Sequence, residues 1–349
     1  MAYISFKGRE LIEDRHLSLP TPDLVPQMEK SFPTGAVRTD DNMVIHGDNL
    51  LALKALVPLY ANKIKCIYID PPYNTGNEHW VFNDNASSFS AIDLGIDIST
   101  GTEDLQLDQH DAWLCMMMPR LKLLHELLAD DGVILISIDD NEHARLKLLL
   151  DDIFHEQNFI ANLVWNSPGV RDVKRATDVS NEHEYILVYA KDISAKGVFT
   201  HSDPVVYLAP DTQSRPIQYG WPFNTGRPTV IGDGIYTEDG LRDCKAIFGE
   251  RAFDYPKPVA LIKSLMSEFT RPDSIVLDSF AGTGTTGQAI LELNANDSGH
   301  RRAILIEKQD YADTITAERM RRVITGDRPA SGEPAEATGG SFSYFEISK

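Results

Sequence analysis

Apolar and polar positions along this chain fall into short blocks whose period switches between two and about 3.6 residues. Residues 64–69 read Ile-Lys-Cys-Ile-Tyr-Ile, and β-branched Ile64, Ile67 and Ile69 predict a buried strand. Residues 43–47 form a shorter strand running into a turn, followed by an apolar-faced helix over 50–60. The spacing of Trp113, Leu114, Met117, Leu121, Leu124 and Leu128 predicts a helix over 113–128. A buried strand over 132–138 comes next, then a helix over 141–154 capped by Asp139 or Asp140. Two more strands follow over 160–165 and 184–190. Far downstream, a short apolar strand from Ser274 enters a glycine-rich turn, a helix over 288–294 and a strand over 302–307. Strands alternating with helices in this way predict an α/β fold, a mostly parallel sheet with helices on both faces.

The intervening stretches are polar and rich in turn residues. Prolines at 20, 22, 26 and 33 make residues 1–40 a peripheral arm without regular elements. Residues 74–110 show little periodicity, as suits a loop beside a functional site. Residues 191–250 carry many Pro and Gly turn signals, and 326–349 read as a linker followed by a closing strand over 340–347.

Candidate chemistry sits where two of the strands end. After residue 69 the chain continues Asp70-Pro71-Pro72-Tyr73. Neither proline can donate to a ladder and each fixes φ, so the strand stops there. A carboxylate, a stiff backbone and an aromatic ring then stand at the carboxyl end of a strand, where open α/β sheets bind ligands. The corner suits a flat ring with an exocyclic amine: carbonyl and carboxylate oxygens accept its hydrogens, and Tyr73 stacks on its face. The alternative is a strand closed by a Pro-Pro turn. Downstream, Gly282, Gly284 and Gly287 keep a G-x-G-x-x-G spacing between a strand and a helix. Glu307 ends the next strand 20 residues beyond Gly287, the distance expected of an acid on a ribose diol. The loop alone does not choose between nicotinamide and S-adenosylmethionine.

Together the two motifs choose. Phe280-Ala-Gly-Thr-Gly-Thr-Thr286 with Asp70-Pro-Pro-Tyr73 resembles the DNA amino-methyltransferases. The catalytic motif precedes the cofactor loop, which resembles the permuted β-class of adenine-N6 methyltransferases. Asp70-Pro-Pro-Tyr-Asn-Thr-Gly-Asn-Glu78, residues 130–141 and His183-Glu-Tyr-Ile-Leu-Val-Tyr-Ala-Lys191 are similar to the modification subunits of type III restriction systems. The resemblance implies a Rossmann-like, S-adenosylmethionine-dependent fold with a small inserted recognition segment. It divides the chain into an arm (1–40), a catalytic half (41–190), a target-recognition segment (191–250), a cofactor half (251–325) and a closing segment (326–349). It assigns catalysis to Asp70, Pro71, Pro72 and Tyr73. Cofactor contacts fall to Asp48, to Tyr255, Pro256 and Lys257 at the methionine end, and to Asp278, Phe280, Ala281, Gly282, Thr283, Gly284, Thr285 and Glu307. Asp48 is equally suited to cap a helix, and Pro258 to start one. Arg171, Lys174, Arg175, Arg215 and Arg227 are the expected DNA contacts, with Trp221 and Phe223 beside them. Trp80 and Phe82 are expected under the loop after the corner. His183 and Tyr185 flank the target-base pocket in the family, although both could simply pack or cap.

Composition changes one expectation. The 349 residues are 42% apolar, enough for a large core. Three cysteines without disulfide spacing, no signal-peptide pattern and no membrane-length apolar run indicate a cytoplasmic protein. Ten histidines show no metal-ligand spacing, and the transfer needs no metal. The net charge of −19 opposes DNA binding, which usually rests on phosphate neutralisation. A local basic face around Arg171–Arg175 or a restriction partner subunit would resolve this, and the family often forms homodimers. Cytosine-N4 transfer, and a recognition or assembly subunit active only with a partner, stay open as alternatives.

Overall fold

The computed structural model describes residues 3–35, 37–76, 107–166, 183–199, 229–232, 234–327 and 336–348. The arm holds two single-turn helices, α1 (Arg9–Ile12) and α2 (Arg15–Ser18), and a short strand β1 (Leu24–Pro26). The chain continues through β2 (Asn42–His46), α3 (Asn49–Tyr60) and β3 (Ile64–Ile69). After the corner come α4 (Gln109–Leu127), β4 (Leu128–Ile138), α5 (His143–Leu150), β5 (Phe159–Asn166) and β6 (His183–Ala190). Then follow β7 (Val230–Ile231), α6 (Thr237–Phe248), α7 (Val259–Phe269), β8 (Ile275–Asp278) and α8 (Thr285–Asp297). The last elements are β9 (Arg302–Glu307), α9 (Glu318–Thr325) and β10 (Phe342–Ile347).

Ten strands form one sheet in the order β1-β10-β2-β9-β8-β3-β4-β6-β5-β7. From β10 to β4 every neighbouring pair is parallel, while β6 runs antiparallel to both β4 and β5. The period-2 alternation read from the sequence divides the core between the sheet's faces. Ile67 and Ile69 of β3 join Trp113, Leu121 and Leu149 on one face. Cys66 and Tyr68 join Leu261, Ile290 and Met320 on the other. Each such aliphatic side chain, taken from water, stabilises the fold by about 1.5–3 kcal/mol.

Two findings differ from the sequence reading. The arm is not irregular throughout, because β1 pairs antiparallel with β10 and completes that edge of the sheet. Residues 237–248, inside the stretch read as turns, form α6. Its buried positions are Thr237, Gly240, Cys244 and Ile247. The helix expected over 141–154 is α5 continued by a π-helical turn, Asp151–His155.

Candidate active site

Parallel strands deliver their carboxyl ends to one edge of the sheet, and in four adjacent strands that end carries an acid. In sheet order β2, β9, β8 and β3 these are Asp48, Glu307, Asp278 and Asp70, and all four line a cavity of about 360 Å³. Phe280, Ala281, Gly282, Thr283 and Thr285 form its floor, and Tyr255, Pro256 and Lys257 flank it.

The floor is the turn from β8 into α8. Asp278 ties it together, accepting from the Phe280 amide at 3.1 Å and the Thr286 hydroxyl at 2.5 Å. Gly282 and Gly284 adopt left-handed φ values of 51° and 81°, which side-chain-bearing residues rarely take. Gly287 lets α8 lie against its neighbours, since a Cβ there would stand 2.4 Å from the Met320 sulfur. Glu307 accepts from the Gly282 amide at 2.8 Å and the Gln309 amide at 2.9 Å. Burial pushes both Asp278 and Glu307 up to about 7. Arg319, wholly buried, donates to Thr283 Oγ1 at 2.6 Å, Thr285 Oγ1 at 3.0 Å and Gln288 Oε1 at 2.7 Å.

Asp48 serves two purposes. It caps α3 by accepting from the Leu50 amide at 2.9 Å, and it lines the cavity facing Arg120 at 3.4 Å and Lys308 at 3.6 Å. Next to it, Asn49 donates to the Ser279 carbonyl at 2.8 Å and accepts from Arg120 at 2.5 Å. This pair joins the start of α3 to the floor.

At the Asp70 corner, Trp113 Nε1 donates to the Pro72 carbonyl at 2.7 Å, while the Pro71 carbonyl accepts from no described residue. Asn74, in a left-handed conformation, is held by Glu142 Oε1 at 2.5 Å and the Gln109 carbonyl at 3.0 Å. The Tyr73 hydroxyl lies 2.8 Å from Asp70 Oδ1 and equally 2.8 Å from Glu184 Oε2. Lys257 Nζ stands 2.8 Å from Asp70 Oδ2 and 3.2 Å from Glu184 Oε2, and donates to the Tyr73 hydroxyl at 2.9 Å. Burial alone would lower the Lys257 pKa, but Asp70 and Glu184 outweigh it and raise it. Burial raises the Tyr73 pKa, and both carboxylates add to the effect.

Lys257, which the resemblance implies at the methionine end of a cofactor, lines the same cavity as the glycine loop and turns its ammonium to the Asp70 corner. The electrostatic reason is that two half-buried carboxylates there lack any other cation within ion-pair distance among the described residues. Sequence reading missed Glu184, Arg120, Asn49 and Arg319. Glu184 had one signal, a charge at the same strand parity as the fully buried Ile186 and Val188. His183 Nε2 and the Tyr185 hydroxyl lie 2.8 Å apart, and the Tyr185 ring rests 4.2 Å from that of His143. Arg171, Lys174, Arg175, Arg215 and Arg227 fall outside the described residues, as do Trp80, Phe82, Trp221 and Phe223.

Residues 64–318, which contain nearly all of this wall, match the DNA methylase family model. The chain belongs to the DNA methylase family. It is 29% identical over 436 residues to the type III restriction-modification enzyme StyLTI Mod subunit of Salmonella typhimurium, covering 99% of this chain and 66% of that one. It is 32% identical over 401 residues to the EcoPI Mod subunit of Escherichia phage P1, covering 84% of this chain and 61% of that one. This DNA methylase therefore spans about two thirds or less of those curated relatives. Among solved structures, the PvuII DNA methyltransferase (cytosine-N4-specific) superposes with a TM-score of 0.50 at 16% identity, covering 80% of this chain and 86% of that one. The shared fold is the Rossmann-like methyltransferase fold expected from the sequence.

Proposed function

We propose that this DNA methylase transfers the methyl group of S-adenosylmethionine to the exocyclic N6 of an adenine flipped out of double-stranded DNA, within a type III restriction-modification system. One observation carries the reading: the Asp70 carboxylate and the Pro71 carbonyl, which accepts from no described residue, share a cavity with the glycine loop. The wall fits the cofactor. Asp48, Asp254 and Glu307 line the cavity beside the glycine turn and suit a ligand bearing cationic and hydroxyl groups. The left-handed glycines keep side chains out of its path. When bound, S-adenosylmethionine supplies an electrophilic methyl on a sulfonium.

The chain's own groups then act on the amine. Its nitrogen lone pair is delocalised into the ring and is a poor nucleophile. Asp70 and the Pro71 carbonyl accept hydrogen bonds from its two hydrogens, favour a pyramidal nitrogen and stabilise the developing positive charge, and the methylated nitrogen then gives up its surplus proton through Asp70 to water. Tyr73 holds the base by its ring. Asp48, Glu307 and the 280–285 turn fix the cofactor for in-line transfer. Arg171, Lys174, Arg175, Arg215 and Arg227 are assigned to DNA phosphates and bases, which position and specify respectively. The Mod subunit names of the relatives support a restriction partner subunit, and we assign homodimer formation and a cytoplasmic location with it. No described helix is long and apolar enough to cross a membrane.

Mass spectrometry of nucleosides from unmethylated genomic DNA, incubated with protein and S-adenosylmethionine, tests the reading. N6-methyladenine is the expected product. Asp70→Ala should bind cofactor normally yet lose turnover by about 10²-fold or more. Retention of most activity in that variant would sink the assignment.

A further inference from the structure

Glu184, inside the His183–Lys191 segment, touches the Asp70 corner with no role assigned to it so far. It begins the buried face of β6, where Ile186 and Val188 follow at the same parity. A carboxylate at such a position needs partners, and it finds the Tyr73 hydroxyl and the Lys257 ammonium. Asp70 uses the same two groups.

The hydrogen-bond inventory makes this sharing consequential. A phenol has one proton to donate. The lone-pair side of the Tyr73 oxygen takes a bond from Lys257, so its proton goes to Asp70 or to Glu184, never to both. The two carboxylate oxygens lie at the same 2.8 Å, so the hydroxyl can change acceptor without losing a bond. The ammonium likewise bridges both acids.

We propose that Glu184 is a positioning residue that takes over the Tyr73 hydroxyl and shares the Lys257 charge, leaving Asp70 able to accept the amine of the target base. The inference rests on Asp70 being the amine acceptor. As the base enters, its N–H replaces the Tyr73 hydroxyl on Asp70 Oδ1, and the hydroxyl turns to Glu184. No bond is made or broken beyond this exchange of hydrogen bonds, and no proton changes owner. Without the Glu184 charge, hydroxyl and ammonium converge on Asp70 and compete with the amine. Glu184 never touches the base in this scheme, so its loss falls on turnover and not on cofactor capture.

Single-turnover methylation and cofactor calorimetry on wild type, Asp70→Ala, Glu184→Gln, Lys257→Met and the Glu184→Gln/Lys257→Met double variant test it. Glu184→Gln should slow methylation by about 10–100-fold while the cofactor dissociation constant moves by less than about twofold. The double variant should be no slower than the slower single one, because the two side chains act as a unit. A packing role predicts additive losses instead. If Glu184→Gln does not fold, Glu184→Asp takes its place, with a loss above about fivefold at unchanged cofactor affinity expected. Wild type that methylates no base overturns the parent reading. An active wild type and a dead Asp70→Ala, with Glu184→Gln within about twofold or additive losses in the cycle, overturn this inference alone.

Discussion

Arg319 is a guanidinium with no solvent exposure, tied to the hydroxyls of Thr283 and Thr285 and to Gln288 on α8. Burying such a charge is costly, and its retention there is best explained by what it holds. Arg319→Met should therefore weaken S-adenosylmethionine binding by about tenfold, or 1.4 kcal/mol, with little loss of thermal stability. Calorimetry with a parallel melting curve checks both. The residue also marks the limit of sequence reading. Arg319, Arg321 and Arg322 lie in one charged run, and nothing in their order says which turns inward. The acids at 48, 70, 278 and 307 were legible for the opposite reason. Each ends or follows an apolar strand, so the break in pattern coincides with the cavity.

Among elements, α6 does more than join two segments. A Cβ on its Gly240 would stand 1.9 Å from the Pro256 carbonyl oxygen, so the helix lies directly on the backbone that carries Lys257. Asp243, on the same helix, accepts from the Val259 amide at 2.8 Å and so fixes the start of α7. Gly240→Ala must push the 255–258 segment away, and backbone cannot yield as a side-chain tip does. It should destabilise the protein by about 1–3 kcal/mol and lower turnover through a displaced Lys257. Denaturant titration and the methylation assay report the two effects. The termini of α6 were readable in principle: Glu238 and Asp239 open it and Gly249, at φ 85°, closes it. Its apolar face was readable too, with Leu241, Cys244, Ile247 and Phe248 at helical spacing, but the run of Pro and Gly turn signals before it hid the pattern.

At the scale of the whole molecule, charge and topology dominate. Burial raises Asp278 from 3.8 and Glu307 from 4.5, each to about 7. Between those limits the folded protein binds protons that the unfolded chain has released, so stability falls as pH rises. The melting temperature of the ligand-free protein should drop from about pH 5 to pH 8, and Asp278→Asn should flatten the decline. A flat wild-type profile would contradict the assignment. Strand identities were legible from periodicity, but their order was not, because pairing partners lie far apart in sequence. β2 shows the consequence. It sits between β9 and β10, with Met43 opposite Ile304 on one side and Ser343 on the other. On the ribosome, that apolar strand emerges long before either neighbour exists. Until residues 302–307 are made, Met43-Val-Ile45 has neither native neighbour and stands as an edge open to wrong pairing, a hazard of parallel sheets whose strands lie far apart in sequence.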